Sequence, residues 1–148
     1  MSENLKLMRF FFVVLGIFTV GRWGLSLAGA DYDKTHQVFS IVILTNISTL
    51  FYGFLTRTFV GGGVKRALVL AASMAAVAQL VIFGSTVVSY LLGMQTFFND
   101  ARALNSPEAV PLGQAMVGRS LGLVVNVVTN LITGALGYAI AGVVPQSK

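Results

Sequence analysis

The sequence has no cysteine, one histidine and only five acidic residues in 148 positions. The absence of cysteine excludes disulfides, thiolate metal sites and cysteine nucleophiles. Charged residues make up 10% of the chain, against about 25% in a soluble globular domain. So few charges cannot solvate the surface of a soluble protein of this size. Disorder, a nucleic-acid-binding module and an ordinary soluble enzyme are therefore disfavoured, and we expect no nucleic-acid partner.

Apolar residues dominate instead, at 55% of the chain with a mean hydropathy of +0.82. Residues 35–56, 67–99 and 120–147 carry no Asp, Glu, Lys or Arg. Each of these stretches exceeds the roughly 20 residues that a helix needs to cross a bilayer. A shorter apolar run follows Arg9. We predict an all-α integral membrane four-helix bundle, a single transmembrane domain over 1–148, with spans at about 8–29, 36–59, 65–97 and 114–143 and an outer loop at 99–113.

The charged residues indicate the orientation of these spans. Basic residues gather at one end, where Glu3 is the only acid: Lys6, Arg9, Arg57, Lys65, Arg66 and Lys148. The acids Asp31, Asp33, Asp100 and Glu108 lie at the other end, with the aromatic residues Trp23, Tyr32, Phe97 and Phe98. The positive-inside rule makes the basic end cytoplasmic. We therefore expect a multi-pass protein of the inner (cytoplasmic) membrane with both termini cytoplasmic.

The third predicted span is too long for one simple crossing. A helix over 65–97 would measure roughly 50 Å, against an apolar core of about 30 Å. We expect this helix to tilt and project outside the membrane, or to bend near Gly84 or Gly93.

A short motif occurs twice. Thr45-Asn46-Ile47-Ser48-Thr49 precedes Gly53-Phe54, and Thr129-Asn130-Leu131-Ile132-Thr133 precedes Gly137-Tyr138, at an offset of 84. We interpret the two halves as parallel repeats of a two-helix hairpin, related by an axis along the membrane normal. Chance matching among Gly- and Thr-rich helices is the alternative.

Small and amide-bearing residues recur at every fourth position of the last span. These are Gly118, Gly122, Asn126, Asn130 and Gly134, with Thr133 and Gly137 beside them. This spacing keeps them near one helix face. Asn46, Thr49 and Gly53 form a matching face in the second span, and Gln79 lies in the third. Small residues allow close helix approach and amides bond across helices, so we favour a helix-packing interface over the lining of a transport pathway.

Catalytic groups are scarce. The interiors of the predicted spans contain no Asp or Glu, which removes the usual proton relay and the carboxylate pair of a hydrolase. His36, the only histidine, cannot supply both axial ligands of a b-type haem or build a conventional metal site. We therefore expect no enzyme, no catalytic residues, no metal and no cofactor.

Arg22 lies well inside the first predicted span, 13 residues after Arg9 and next to Trp23. Burying a guanidinium there is costly unless the side chain snorkels to the surface or finds partners. Those partners would be loop carbonyls, Asp31 or Asp33, or a lipid phosphate. Snorkelling is the simpler interpretation, and the functional one is a lipid or anion site formed by Arg22, Trp23 and His36.

Two functions fit this sequence. The first is a non-catalytic membrane subunit or scaffold that packs into a homo-oligomer or a larger, energy-transducing membrane complex. The second is a small oligomeric channel or transporter for an uncharged solute or an anion, lined by Asn46, Gln79, Asn126 and Asn130. In both, the partners are membrane lipid and further membrane subunits.

Overall fold

The computed structural model describes residues 3–143, of which 75% are helical and none lies in a strand. The all-α prediction is thereby confirmed. The helices are α1 (Glu3–Leu7), α2 (Arg9–Leu27), α3 (Tyr32–Thr35), α4 (Ile41–Thr58), α5 (Val64–Leu91) and α6 (Leu112–Ile140), with a 3-10 turn at Arg102–Leu104. Lys148, predicted among the cytoplasmic basic residues, lies outside the described residues.

Three helices, α2, α5 and α6, are long and apolar enough to cross a membrane. Helix α4 has 18 residues but is not one of them, because polar residues such as Thr45, Asn46 and Thr49 lower its mean hydropathy. At 1.5 Å per residue it reaches about 27 Å, slightly less than an apolar core of about 30 Å. The second predicted span is therefore the one with the weakest intrinsic membrane signal.

The segment predicted at 65–97 is not one long projecting helix; it breaks near Gly93, which was the other expectation. Helix α5 stops at Leu91, and Gly93 adopts a left-handed φ of +63° that a residue with a side chain rarely takes. The chain then folds back, so that Phe97 and Phe98 are 4% and 1% exposed. These rings were expected at the outer membrane interface, and they pack inside the protein instead.

Helices α4, α5 and α6 pack together closely, and α2 lies beside α4 and α5 with a smaller interface. Thr49 meets Thr133, and Arg57 meets Tyr138, so α4 and α6 run parallel. Gln79 of α5 bonds to Arg119, and Gly134 approaches Ala71, so α5 runs antiparallel to α6. The apolar core forms between these helices from Phe11, Leu15, Ile41, Tyr52, Leu70, Met74 and Ile82.

Candidate functional site

The two copies of the repeated motif face each other where α4 packs on α6. The Thr49 hydroxyl lies 2.9 Å from Asn130 Oδ1 and 2.7 Å from Thr133 Oγ1. Asn130 has no exposed surface, and its amide nitrogen donates to the Asn126 carbonyl at 2.8 Å and to Asn126 Oδ1 at 2.9 Å. The amide and hydroxyl groups at the centre of this seam thus satisfy one another across the two helices.

Glycines bring the backbones of α4 and α6 into direct contact. A Cβ atom at Gly53 would overlap the Gly134 carbonyl, and one at Gly137 would overlap the Leu50 carbonyl. Adding 84 to residues 50 and 53 gives 134 and 137, so each of these contacts becomes the other when the motif copies are exchanged. The Thr49–Thr133 contact maps onto itself. Neither glycine can be replaced by a larger residue without moving a backbone.

The stripe continues with looser packing toward the end of α6 that begins at Leu112. We call this end of the bundle, which carries Asp31, Asp33, Asp100 and Glu108, the outer end. Gln79 donates to the Arg119 carbonyl at 3.1 Å, and Gly122 lies beside the Gln79 amide. A Cβ at Gly118 would meet nothing within 4 Å, so this glycine faces the outside of the chain. Asn126 Nδ2, like Asn46 Oδ1 in α4, is buried with no partner among residues 3–143. The predicted stripe is therefore a closed interface at Asn130 and an open one at Gly118.

A second polar site lies at the outer end, around the folded-back loop. The Phe97 amide donates to Ser26 Oγ at 2.9 Å, and the Phe98 carbonyl accepts from Thr86 Oγ1 at 3.1 Å. Trp23 packs on the Phe98 ring at 5.6 Å between centroids, and its indole nitrogen lies 3.4 Å from Ser85 Oγ. Side chains from α2 and α5 thus pair the buried backbone groups of the loop.

Two arginines converge on this loop. Arg119 donates to the Phe98 carbonyl at 2.6 Å and to Thr86 Oγ1 at 3.2 Å. Arg22 donates to the His36 carbonyl at 3.1 Å, and its guanidinium carbon lies 5.4 Å from the Phe97 ring centroid. Both side chains are half-buried, and neither forms an ion pair with a carboxylate among residues 3–143.

The two guanidinium groups line one pocket of about 180 Å³. We call it the arginine pocket, and its lining includes Arg22, Tyr32, His36, Ser40, Phe98 and Arg119. The rest of its wall is mostly apolar, with Ile41, Val42, Ile82, Phe97 and Ala103. It is a small, positively charged cavity at the outer end of an apolar helical protein.

Three of the four carboxylates at this end, Asp31, Asp33 and Asp100, lie around Arg102 and not at the arginine pocket. Arg102 forms ion pairs with Asp33 at 2.7 Å, Asp100 at 2.9 Å and Asp31 at 3.8 Å. The hydrogen bond from Arg102 lowers the pKa of Asp100 below its ordinary value, and the same bond raises the pKa of Arg102. This cluster joins the α2–α4 connection to the α5–α6 loop. Within residues 3–143, Arg22 thus contacts a loop carbonyl and forms no ion pair with Asp31 or Asp33.

The structure brings most predicted residues into two groups. Thr49 and Gly53 meet Asn130, Thr133 and Gly134, and Gly137 packs on Leu50 in the same seam. The Asn46 side chain bonds to the Val42 carbonyl of its own helix instead. Arg22 and His36 share the arginine pocket. Trp23 packs behind Phe98 rather than on the pocket wall. Arg119 was missed, because from sequence it looks like a charge that flanks the outer loop. Its position five residues inside the predicted span 114–143 was the signal that could have singled it out.

No known protein family, characterised protein or solved structure matches this chain. Its function is therefore argued from its own contacts.

Proposed function

We propose that this protein is a non-catalytic integral membrane scaffold or subunit, built as a bundle of its four long helices in the cytoplasmic membrane. The observation that carries the proposal is the α4–α6 seam. There Thr49 and Asn130 bond to each other, and Gly53 and Gly137 bring the backbones together. Such a seam suits rigid assembly, because it uses its polar groups for packing and excludes a water-filled space.

The topology belongs to the same proposal. The helices alternate in direction, and Arg66 pairs with Glu3 at 3.1 Å at the end that carries the other basic residues. This end would face the cytoplasm. Helix α4 would be the fourth span, since its polar face is covered by α6 rather than by lipid. The exchange of contacts at an offset of 84 supports two parallel hairpin repeats.

Surfaces for partners remain on the outside of the chain. A Cβ at Gly16 or Gly84 would meet nothing within 4 Å. Because small residues let a neighbouring helix approach closely, these positions support packing with a second copy or with other membrane subunits.

The alternative, an oligomeric channel or transporter, receives less support. Its lining would include Asn130, whose amide is already bonded on both sides of the seam. Asn126 is the residue that favours it, because its amide nitrogen is buried without a partner in the described part of the chain.

The scaffold and the channel can be distinguished with the tagged full-length protein. It is purified in mild detergent, analysed by native mass spectrometry and reconstituted into liposomes. We expect a homo-oligomer of defined mass or stoichiometric further subunits, and no solute flux in liposomes. Flux that is lost in Asn126→Leu but kept in Thr129→Leu would overturn the scaffold proposal. Thr129 is a suitable control because it is exposed on the same helix and bonds only to its own turn, at Val125.

A further inference from the structure

We propose that the arginine pocket binds a phosphate group, carried either by a phospholipid or by free inorganic phosphate. This inference does not depend on the scaffold function, since it rests on the outer end of the fold and not on the α4–α6 seam.

The arginine pocket carries positive charge that no carboxylate within residues 3–143 balances. Arg22 and Arg119 place two positive charges on one small cavity, and within residues 3–143 neither has an acidic partner. Their hydrogen-bond acceptors include the neutral His36 and Phe98 carbonyls and the Thr86 hydroxyl. Like charges that share a half-buried site repel each other, and an anion between them relieves this repulsion. The pocket is therefore complementary to an anion.

The guanidinium groups of Arg22 and Arg119 are held in place and keep unused N–H donors. A guanidinium has five N–H donors in a planar fork that matches phosphate oxygens, and the hydrogen bonds described above use fewer than half of them on each arginine. Arg22 is held over the Phe97 and Phe98 rings, at 5.4 and 5.7 Å from their centroids. Arg119 is held by the Phe98 carbonyl. Both forks are thus positioned before a ligand arrives, which lowers the entropic cost of binding.

The volume and the opening of the arginine pocket suit a single phosphate group. A volume of about 180 Å³ is below the 300–1,000 Å³ typical of pockets for drug-sized ligands, so it suits a single phosphate group. Exposed residues at its edge, His36 and Val42, leave it open at the side of the bundle. A lipid headgroup can reach the pocket through this opening at the side of the bundle. A free ion can reach it from the outer end.

Two binding measurements on the full-length protein test the proposal. Trp23 is the only tryptophan and packs on Phe98, which lines the pocket, so its fluorescence reports on changes at Phe98. Detergent-purified protein stripped of lipid is titrated with sodium phosphate against sodium chloride at equal ionic strength. In parallel, the phospholipid retained per chain before stripping is measured by mass spectrometry.

Arg22→Gln is the test variant and Arg57→Gln its matched control. Arg57 also lies over an aromatic ring, 5.0 Å from the Tyr138 centroid, and its Nη1 lies 3.4 Å from a backbone carbonyl, but at the other end of the bundle. We expect Arg22→Gln to weaken phosphate binding, or to lower phospholipid retention, by about tenfold or more, and Arg57→Gln to match wild type.

The outcomes separate the sources of the phosphate. Retained phospholipid that only Arg22→Gln loses identifies a headgroup site, and saturable phosphate binding without retained lipid identifies a free-ion site. The absence of both in wild type, or equal behaviour of the two variants, overturns the proposal. If Arg22→Gln fails to fold, Arg22→Lys replaces it, because lysine keeps the positive charge but not the planar fork of donors. Phosphate binding by Arg22→Lys that equals wild type would also overturn the proposal.

Discussion

Replacing Gly137 by alanine tests how α4 packs on α6. The added methyl group would overlap the Leu50 carbonyl oxygen of the neighbouring helix. If the obstacle were a side chain of α4 it could rotate away, but the Leu50 carbonyl is part of the α4 backbone and cannot. Relief therefore requires α4 and α6 to separate, which also stretches the contacts of Thr49 with Asn130 and Thr133.

Two opposing contributions set the size of the effect. Alanine in a helix interior is more favourable than glycine by up to about 1 kcal/mol. Overpacking a closely packed interface costs about 1–3 kcal/mol, and a rigid backbone obstacle belongs at the upper end. We expect Gly137→Ala to lower the free energy of unfolding by about 2 kcal/mol. Gly118→Ala, on the same helix with open space around it, should raise it by up to about 1 kcal/mol.

Equilibrium unfolding of the purified protein in mixed micelles, by titration with a denaturing detergent, measures both variants. A stability of Gly137→Ala equal to that of Gly118→Ala would refute the packing described here. Gly53→Ala provides a second check, because its contact with Gly134 is the exchanged counterpart of the first. The double variant Gly53→Ala/Gly137→Ala should lose less free energy of unfolding than the two single variants together, because one separation of the helices relieves both clashes.

Two further predictions concern single polar contacts. Thr49→Val should lower the free energy of unfolding by about 1–2 kcal/mol, because it leaves Asn130 Oδ1 buried without its donor, whereas the exposed control Thr129→Val should change it by less than about 0.5 kcal/mol. Equal effects in the same unfolding assay would contradict the seam. At the outer end, Arg102 lowers the pKa of Asp100, so this interaction stabilises the fold above about pH 4 and is lost as the pH falls through the lowered value. The Tm of wild type should therefore fall more steeply than that of Asp100→Asn between about pH 4 and pH 2, and parallel curves would disprove the contribution of this pair.

The helices and the polar stripe are the parts that the sequence predicts best. Long uncharged stretches define α5 and α6, and a spacing of four places Asn126, Asn130 and Gly134 on one face. The meeting of this face with Thr49 follows from the repeated motif, because two like surfaces can pack about a local axis. Whether the stripe serves packing alone stays a prediction, since geometry describes its contacts and not its use.

The end of α5 shows why other parts could not be predicted. Residues 92–98 are uncharged and mostly apolar, so their composition suits a lipid-facing helix as well as a buried loop. Gly84 and Gly93 look alike in sequence, yet Gly84 continues the helix and Gly93 ends it with a positive φ. The decision comes from tertiary contacts: Ser89 Oγ lies 2.7 Å from Thr96 Oγ1 and Thr86 bonds to Phe98 across the fold.

The buried loop and the buried arginines depend on each other. Non-helical backbone has carbonyls that no helical hydrogen bond uses, and these are suitable acceptors for a guanidinium at this depth. The Phe98 carbonyl is such an acceptor, and it in turn needs the donor that Arg119 supplies. Because carbonyls are neutral, they satisfy the hydrogen bonds of Arg22 and Arg119 without cancelling their charge. The fold thus accounts for two arginines below its outer surface and leaves a positive charge that an anion would balance.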